Sequence, residues 1–76
     1  MKIRISMLSQ EELAKITERE NMTEEQKKLL LLLHSNKKSD TGIMQELHLG
    51  GRKYYQLKRE VHLKVIRQLL EMYKTI

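Results

Sequence analysis

The sequence contains no cysteine, proline, tryptophan or phenylalanine, and only three glycines among its 76 residues. Without cysteine, neither disulfides nor thiolate metal clusters can stabilise so small a chain, which fits a reducing compartment. The longest apolar run, Leu29 to Leu33, is far too short to cross a bilayer, and the charged N-terminus does not resemble a signal peptide. We therefore expect one cytoplasmic domain spanning residues 1–76, with no membrane partner.

The residues that are abundant favour helices and a basic surface. Leucine, lysine, glutamate, glutamine, arginine and methionine dominate, and all are good helix formers. Residues 1–26 carry four basic and six acidic side chains, a net charge of −2, whereas residues 27–76 carry eleven basic and four acidic ones, a net charge of +7. A basic half suggests nucleic acid as a partner. The simpler alternative is a solvated surface that keeps the protein soluble.

Capping signals divide the chain into four helices. Ser9 with Glu12, and Thr23 with Gln26, have the spacing of capping boxes, in which side chain and backbone cap each other. Ser39 or Asp40 can begin a third helix. The predicted all-α fold comprises an arm at 1–8, two helices within 9–35, a short helix ending near Leu47 and a long one from Gly51 to about Tyr73. Alternation of Ile3, Ile5 and Met7 with polar residues leaves three options for the arm: a free arm, an edge strand or a frayed terminus.

Residues 39–61 have the layout of a helix-turn-helix, in which a short helix and a tight turn precede a second helix. Gly50 or Gly51 can take backbone angles that other residues avoid. The second helix would continue through residues 62–76. At 100° per residue, its inner face contains Tyr54, and the opposite face contains Arg52, Gln56 and Arg59.

The outer face of this helix suits the DNA major groove. Arginine matches the paired acceptors of guanine and glutamine those of adenine, and base contacts come mostly from the first turns of the recognition helix. Lys37 and Lys38 precede the short helix and are placed for phosphate contacts. The predicted DNA-binding residues are Lys37, Lys38, Arg52, Lys53, Tyr55, Gln56, Lys58 and Arg59. A polar outer face of an ordinary helical hairpin is the alternative interpretation.

Beyond Arg59 the outer face becomes apolar. Leu63, Ile66, Leu70 and Tyr73 continue the same direction, while Val61 and Val65 lie on the inner face. Burial of a leucine or isoleucine contributes about 1.5–3 kcal/mol, so we expect this second apolar side to be covered. The four residues predict a homodimer interface. The alternative is that both leucine clusters meet within one compact domain.

The segment also resembles a known group of regulators. Ser39-Asp40, Ile43, Glu46-Leu47, Leu49, Tyr54-Tyr55 and Leu57-Lys58-Arg59-Glu60 match the pattern of small phage and prophage regulators of the RinA and ArpU type. These resemble sigma-factor region-four domains, and the likeness covers roughly residues 23–70.

The resemblance implies a bacterial, nucleoid-associated transcription regulator that binds promoter DNA and can contact RNA polymerase. By matching positions, it assigns DNA contact to Arg52, Lys53, Tyr55, Gln56 and Arg59. Met44 and the pair Gly50-Gly51 depart from the pattern, which has a small residue and a serine cap at these places.

Enzymatic activity is not expected. The three histidines lack partners at metal-ligand spacing, and the chain has no glycine-rich phosphate loop or nucleophile arrangement, so no catalytic residue, metal or cofactor is predicted. A second hypothesis is a small helical module that binds a host protein such as RNA polymerase as an adaptor or inhibitor. The acidic first helix and the excess of leucine fit that hypothesis.

Overall fold

The structure, a computed structural model, describes residues 4–74. A 3-10 helix at Ile5–Met7 precedes four α-helices: α1 (Gln10–Arg19), α2 (Glu24–Ser35), α3 (Asp40–Leu47) and α4 (Gly51–Met72). The all-α fold with four helices is confirmed, and within residues 4–74 no strand forms. In the same part of the chain, no helix is long and apolar enough to cross a membrane.

The predicted helix starts are confirmed by their capping geometry. Ser9 and Thr23 each form a reciprocal capping box, with Glu12 and Gln26 respectively. Ser39, and not Asp40, caps α3, because its hydroxyl accepts from the amide of Gly42 at 3.2 Å. These caps satisfy amide groups that would otherwise lack partners at a helix start.

The core lies around α2, which packs against the 3-10 helix, α3 and α4, while α1 packs against α4. The side chains without any solvent exposure are Ile16, Leu29, Leu30, Tyr54 and Val61. The rest of the core consists of Ile5, Leu8, Leu13, Met22, Ile43, Leu57 and Val65. The inner face of α4 therefore contributes four residues to one continuous core.

The first residues do not behave as the strand that their alternation suggested. Residues 1–3, including Ile3, lie outside the described part of the chain, but Ile5–Met7 is a 3-10 turn. Ile5 and Leu8 are buried, and the ring of His34 on α2 lies 2.7 Å from the carbonyl oxygen of Leu8. The 5–8 segment is thus packed into the core instead of projecting as an arm. The burial of these two apolar side chains and the polar contact with α2 stabilise the turn, and the short alternation in the sequence does not reveal these contacts.

The five leucines of α2 are not equally covered. Leu29 and Leu30 are fully buried, Leu32 and Leu33 pack partly against the core, and Leu31 is 55% exposed. The 3-10 helix, α3 and α4 together cover three sides of α2. Most of this run is therefore accommodated within one chain, without a second subunit.

Candidate nucleic-acid interface

A tight turn joins α3 to α4. His48 ends α3 in the left-handed conformation (φ 56°), and the amide of Leu49 donates to the carbonyl of Met44 at 2.9 Å. The prediction that a glycine takes the unusual angle is wrong: Gly50 has φ −74°, and no glycine among residues 4–74 has positive φ. The amides of His48 and Leu49 both donate back to carbonyls of α3, and Gly50 is the N-cap of α4.

Asp40 connects the start of α3 to α4. Its carboxylate accepts a hydrogen bond from the Tyr54 hydroxyl at 2.6 Å and another from the Lys58 ammonium at 3.1 Å. Both bonds lower the pKa of Asp40 below its usual 3.8, and the bond from Tyr54 has the larger effect. Burial, followed by the bond to Asp40, raises the pKa of the Tyr54 phenol above its ordinary value of 10. The orientation of α4 relative to α3 therefore depends on a charged hydrogen-bond cluster as well as on packing.

This cluster assigns Lys58 a position different from its predicted one. Its side chain is only 27% exposed, and its ammonium lies about 6 Å from the ring centroids of Tyr54 and Tyr55. Lys58 thus contacts Asp40 and the two rings, and its positive charge is compensated within the protein. The sequence offered one clue to this pairing, since Asp40 is the one acidic residue between Glu25 and Glu46.

The outer face of the first half of α4 is open. Arg52, Lys53, Gln56 and Arg59 are exposed, and their side chains form no hydrogen bond or ion pair with any residue of the 4–74 range. Tyr55 is 53% exposed, and its ring packs edge-on against the buried Tyr54 ring at 5.0 Å. Five predicted contact residues therefore share one accessible surface, which we call the α4 reading face: Arg52, Lys53, Tyr55, Gln56 and Arg59.

The two lysines of the α2–α3 connection differ in their surroundings. Both Lys37 and Lys38 are exposed, but the ammonium of Lys38 is paired with the carboxylate of Glu46 on α3. Lys37 makes no ion pair with a residue in the described range. Of these two lysines, both predicted to contact phosphates, only Lys37 is therefore without an ion pair among the described residues.

The second half of α4 presents the predicted apolar side to solvent. Leu63, Leu70 and Tyr73 are each more than half exposed, and Ile66 is partly buried. The hydroxyl of Tyr73 donates to Glu12 on α1, and Arg67 is bonded to Glu20 at 2.9 Å. These contacts join α1 to the C-terminal half of α4 and leave Leu63 and Leu70 exposed. The interpretation in which both leucine clusters meet inside one domain is therefore wrong for Leu63 and Leu70.

No group of three or more histidine, aspartate or glutamate side chains that could hold a metal ion occurs within residues 4–74. Burial, followed by the positive charge of Lys58, lowers the pKa of His62 below its usual 6.5.

Comparisons with protein-family models, with curated proteins and with solved structures gave no match.

Proposed function

We propose that this protein is a sequence-specific DNA-binding regulator of transcription, and that α3, the turn at 48–50 and α4 act as a helix-turn-helix. The observation that carries the proposal is the α4 reading face. It offers two guanidinium groups, an ammonium, an amide and a phenol, all exposed and without hydrogen-bond or ion-pair partners among the described residues. Residues 51–59 include four basic side chains and no acidic one.

The chemistry of the reading face fits the major groove. Arg52, Gln56 and Arg59 lie in the first three turns of α4, where a recognition helix makes most of its base contacts. Each guanidinium can donate two hydrogen bonds to guanine, and the Gln56 amide can pair with adenine. Lys53 and Lys37 are placed for phosphates on either side, which would fix the position of the helix on the duplex.

Lys38 and Lys58 take different roles in this proposal. Both are paired with acidic side chains, Glu46 and Asp40 respectively, so binding a phosphate would require each to give up or share an existing ion pair. We therefore propose that Lys58, with Tyr54, positions α4 and that Lys38 ties the α2–α3 connection to α3. A helix held rigidly at its start can present side chains to base edges in one fixed register.

The resemblance to RinA and ArpU regulators supports a phage or prophage origin and a promoter as the target. A role at a promoter would also make contact with RNA polymerase a reasonable second interaction. The competing hypothesis, a module that binds a host protein and not DNA, makes no use of the uncompensated positive charge on the reading face.

Selection from a pool of random duplexes tests the proposal. We expect the full chain to enrich a defined sequence, and its affinity to fall with salt along a logarithmic slope of roughly −2 to −4, the value for two to four phosphate contacts. Absence of enrichment at 50 mM salt would contradict the proposal. Capture of a specific host protein from nuclease-treated lysate, together with no enriched duplex, would establish the competing hypothesis.

A further inference from the structure

The apolar side chains on the outer side of α4, together with that of its C-cap residue Tyr73, follow a coiled-coil spacing. Leu63, Ile66, Leu70 and Tyr73 are separated by three, four and three residues, which is the a and d pattern of a heptad repeat. Leu63, Leu70 and Tyr73 are 59%, 57% and 63% exposed. We call these four residues the α4 outer seam. A seam with this period fits the face of another helix, because knobs at a and d positions insert into holes on a partner helix.

Within residues 4–74 no helix covers Leu63 or Leu70, and Tyr73 at the end of the seam meets α1 through its hydroxyl, which donates to Glu12. Tyr54, Leu57, Val61 and Val65 occupy the opposite side of α4 and are buried in the core. The α1 helix is tied down at both ends, through Glu12 to Tyr73 and through Glu20 to Arg67. The Glu20 side chain is only 10% exposed and its carboxylate also accepts a hydrogen bond from Gln68, whereas the Arg67 side chain is 62% exposed. A partner for the seam must therefore come from outside the core that residues 4–74 form.

We infer that the outer seam pairs with the same seam of a second copy of this chain, with the two α4 helices antiparallel. In this register Leu63 lies opposite Tyr73, and Ile66 lies opposite Leu70, so all four side chains are covered by apolar neighbours. A two-fold axis makes both contacts occur twice, which is the usual arrangement in homodimers.

The charges beside the seam select the antiparallel orientation. Glu60 and Arg67 occupy e positions of α4, and e positions face each other in an antiparallel pair. Lys74 lies just past the C-terminal end of α4, two residues after Met72, and so beside Glu60 of the antiparallel partner. Glu60 of each copy then meets Lys74 of the other, giving two complementary pairs. Arg67 meets its own counterpart, but each of these guanidinium groups is already compensated by Glu20.

A parallel pair brings together different side chains. It would place His62 opposite Arg67 and Tyr55 opposite Glu60, and neither pairing joins opposite charges. Juxtaposed charges at e and g positions set the orientation of helix pairs. The antiparallel arrangement is therefore the one that the sequence of α4 favours.

The antiparallel register leaves the α4 reading face uncovered. Residue 62 lies opposite residue 74, so Arg52, Gln56 and Arg59 extend past the paired segment. At 1.5 Å per residue, the two Gln56 positions are about 36 Å apart along the helix direction, close to one turn of B-DNA. This spacing rests on the proposed DNA-binding function, whereas the dimer itself does not.

Sedimentation equilibrium of the full chain without DNA tests the pairing, so its outcome is independent of the DNA proposal. We expect a monomer–dimer equilibrium, and Leu70→Asp should raise its dissociation constant at least 100-fold, roughly the loss expected from two apolar contacts. Leu31→Asp is the matched control, because Leu31 is equally exposed at 55% but lies on α2. Circular dichroism checks that both variants remain folded.

Engineered cysteines test the orientation, since the chain contains none of its own. A mixture of Leu63→Cys and Tyr73→Cys chains should form a mixed disulfide dimer under mild oxidation, whereas Leu63→Cys alone should not. Reversing both charges, with Glu60→Lys and Lys74→Glu in one chain, should restore the dimer that either change alone weakens. A wild-type monomer at 1 mM, equal disruption by Leu31→Asp, or efficient linking of Leu63→Cys to itself would each overturn the inference.

Discussion

Replacing Tyr54 with phenylalanine removes one hydroxyl from the interior and leaves the ring in place. The ring has no solvent exposure, and its hydroxyl donates to the Asp40 carboxylate at 2.6 Å. A hydrogen bond to a charged group contributes about 1.5–3 kcal/mol to stability. The side chain of Asp40 is 41% exposed, so water can partly solvate the carboxylate after the change. We therefore expect a loss at the lower end of that range, about 1.5 kcal/mol.

Urea denaturation and thermal unfolding, both followed by circular dichroism, measure this loss. In a domain of this size, 1.5 kcal/mol corresponds to a fall in Tm of roughly 6–12 °C. Tyr55→Phe is the matched control, because the neighbouring Tyr55 is 53% exposed and its hydroxyl has no hydrogen-bond partner among the described residues. We expect that control to change stability by less than about 0.5 kcal/mol.

A double-mutant cycle with Asp40→Ala isolates the bond itself. If Tyr54 and Asp40 interact as described, the summed losses in free energy of unfolding of the two single mutants should exceed the loss in the double mutant by about 1–1.5 kcal/mol. Additive effects, or a Tyr54→Phe protein as stable as Tyr55→Phe, would refute the role of this cluster in joining α3 to α4.

Two further predictions concern stability. Gly50→Ser should stabilise the fold by about 0.5–1 kcal/mol in the same urea assay, because a serine hydroxyl can cap the Lys53 amide and a residue other than glycine restricts the unfolded chain. The substitution is sterically allowed, since a Cβ at Gly50 would meet no atom within 4 Å. Destabilisation by Gly50→Ser would contradict the assignment of residue 50 as the N-cap of α4. Stability should also fall as the pH drops below about 4, since the folded-state pKa values of Asp40 and Glu12 are lowered and the unfolded chain binds more protons there. Asp40→Asn should remove part of that acid dependence, and an unchanged pH profile would show that Asp40 does not contribute to it.

The helix boundaries could be predicted because they depend on local chemistry. Ser9, Thr23 and Ser39 each bond to an amide three residues ahead, and that spacing is visible in the sequence. The inner face of α4 was equally predictable from its 3.6-residue period. Both signals involve residues within a turn or two of one another.

Features that depend on distant residues could not be predicted. The pairing of Lys58 with Asp40 joins positions 18 residues apart, and a list of basic residues does not show which charges are compensated. The burial of Ile5 and Leu8 depends on α2, which follows much later in the chain. The sequence also left open whether the outer apolar side of α4 is covered within the chain, and only the packed structure shows that Leu63 and Leu70 are exposed.

The central claim, that the α4 reading face recognises DNA, is tested most directly by fluorescence anisotropy on the duplex enriched by selection. Arg52→Ala and Arg59→Ala should each weaken binding to that duplex by about 1–3 kcal/mol and reduce discrimination against a scrambled duplex. Arg19→Ala, which removes the same charge from the exposed end of α1, should leave both quantities unchanged. Equal affinities for the wild type and the two reading-face variants, or an equal loss for Arg19→Ala, would contradict the claim.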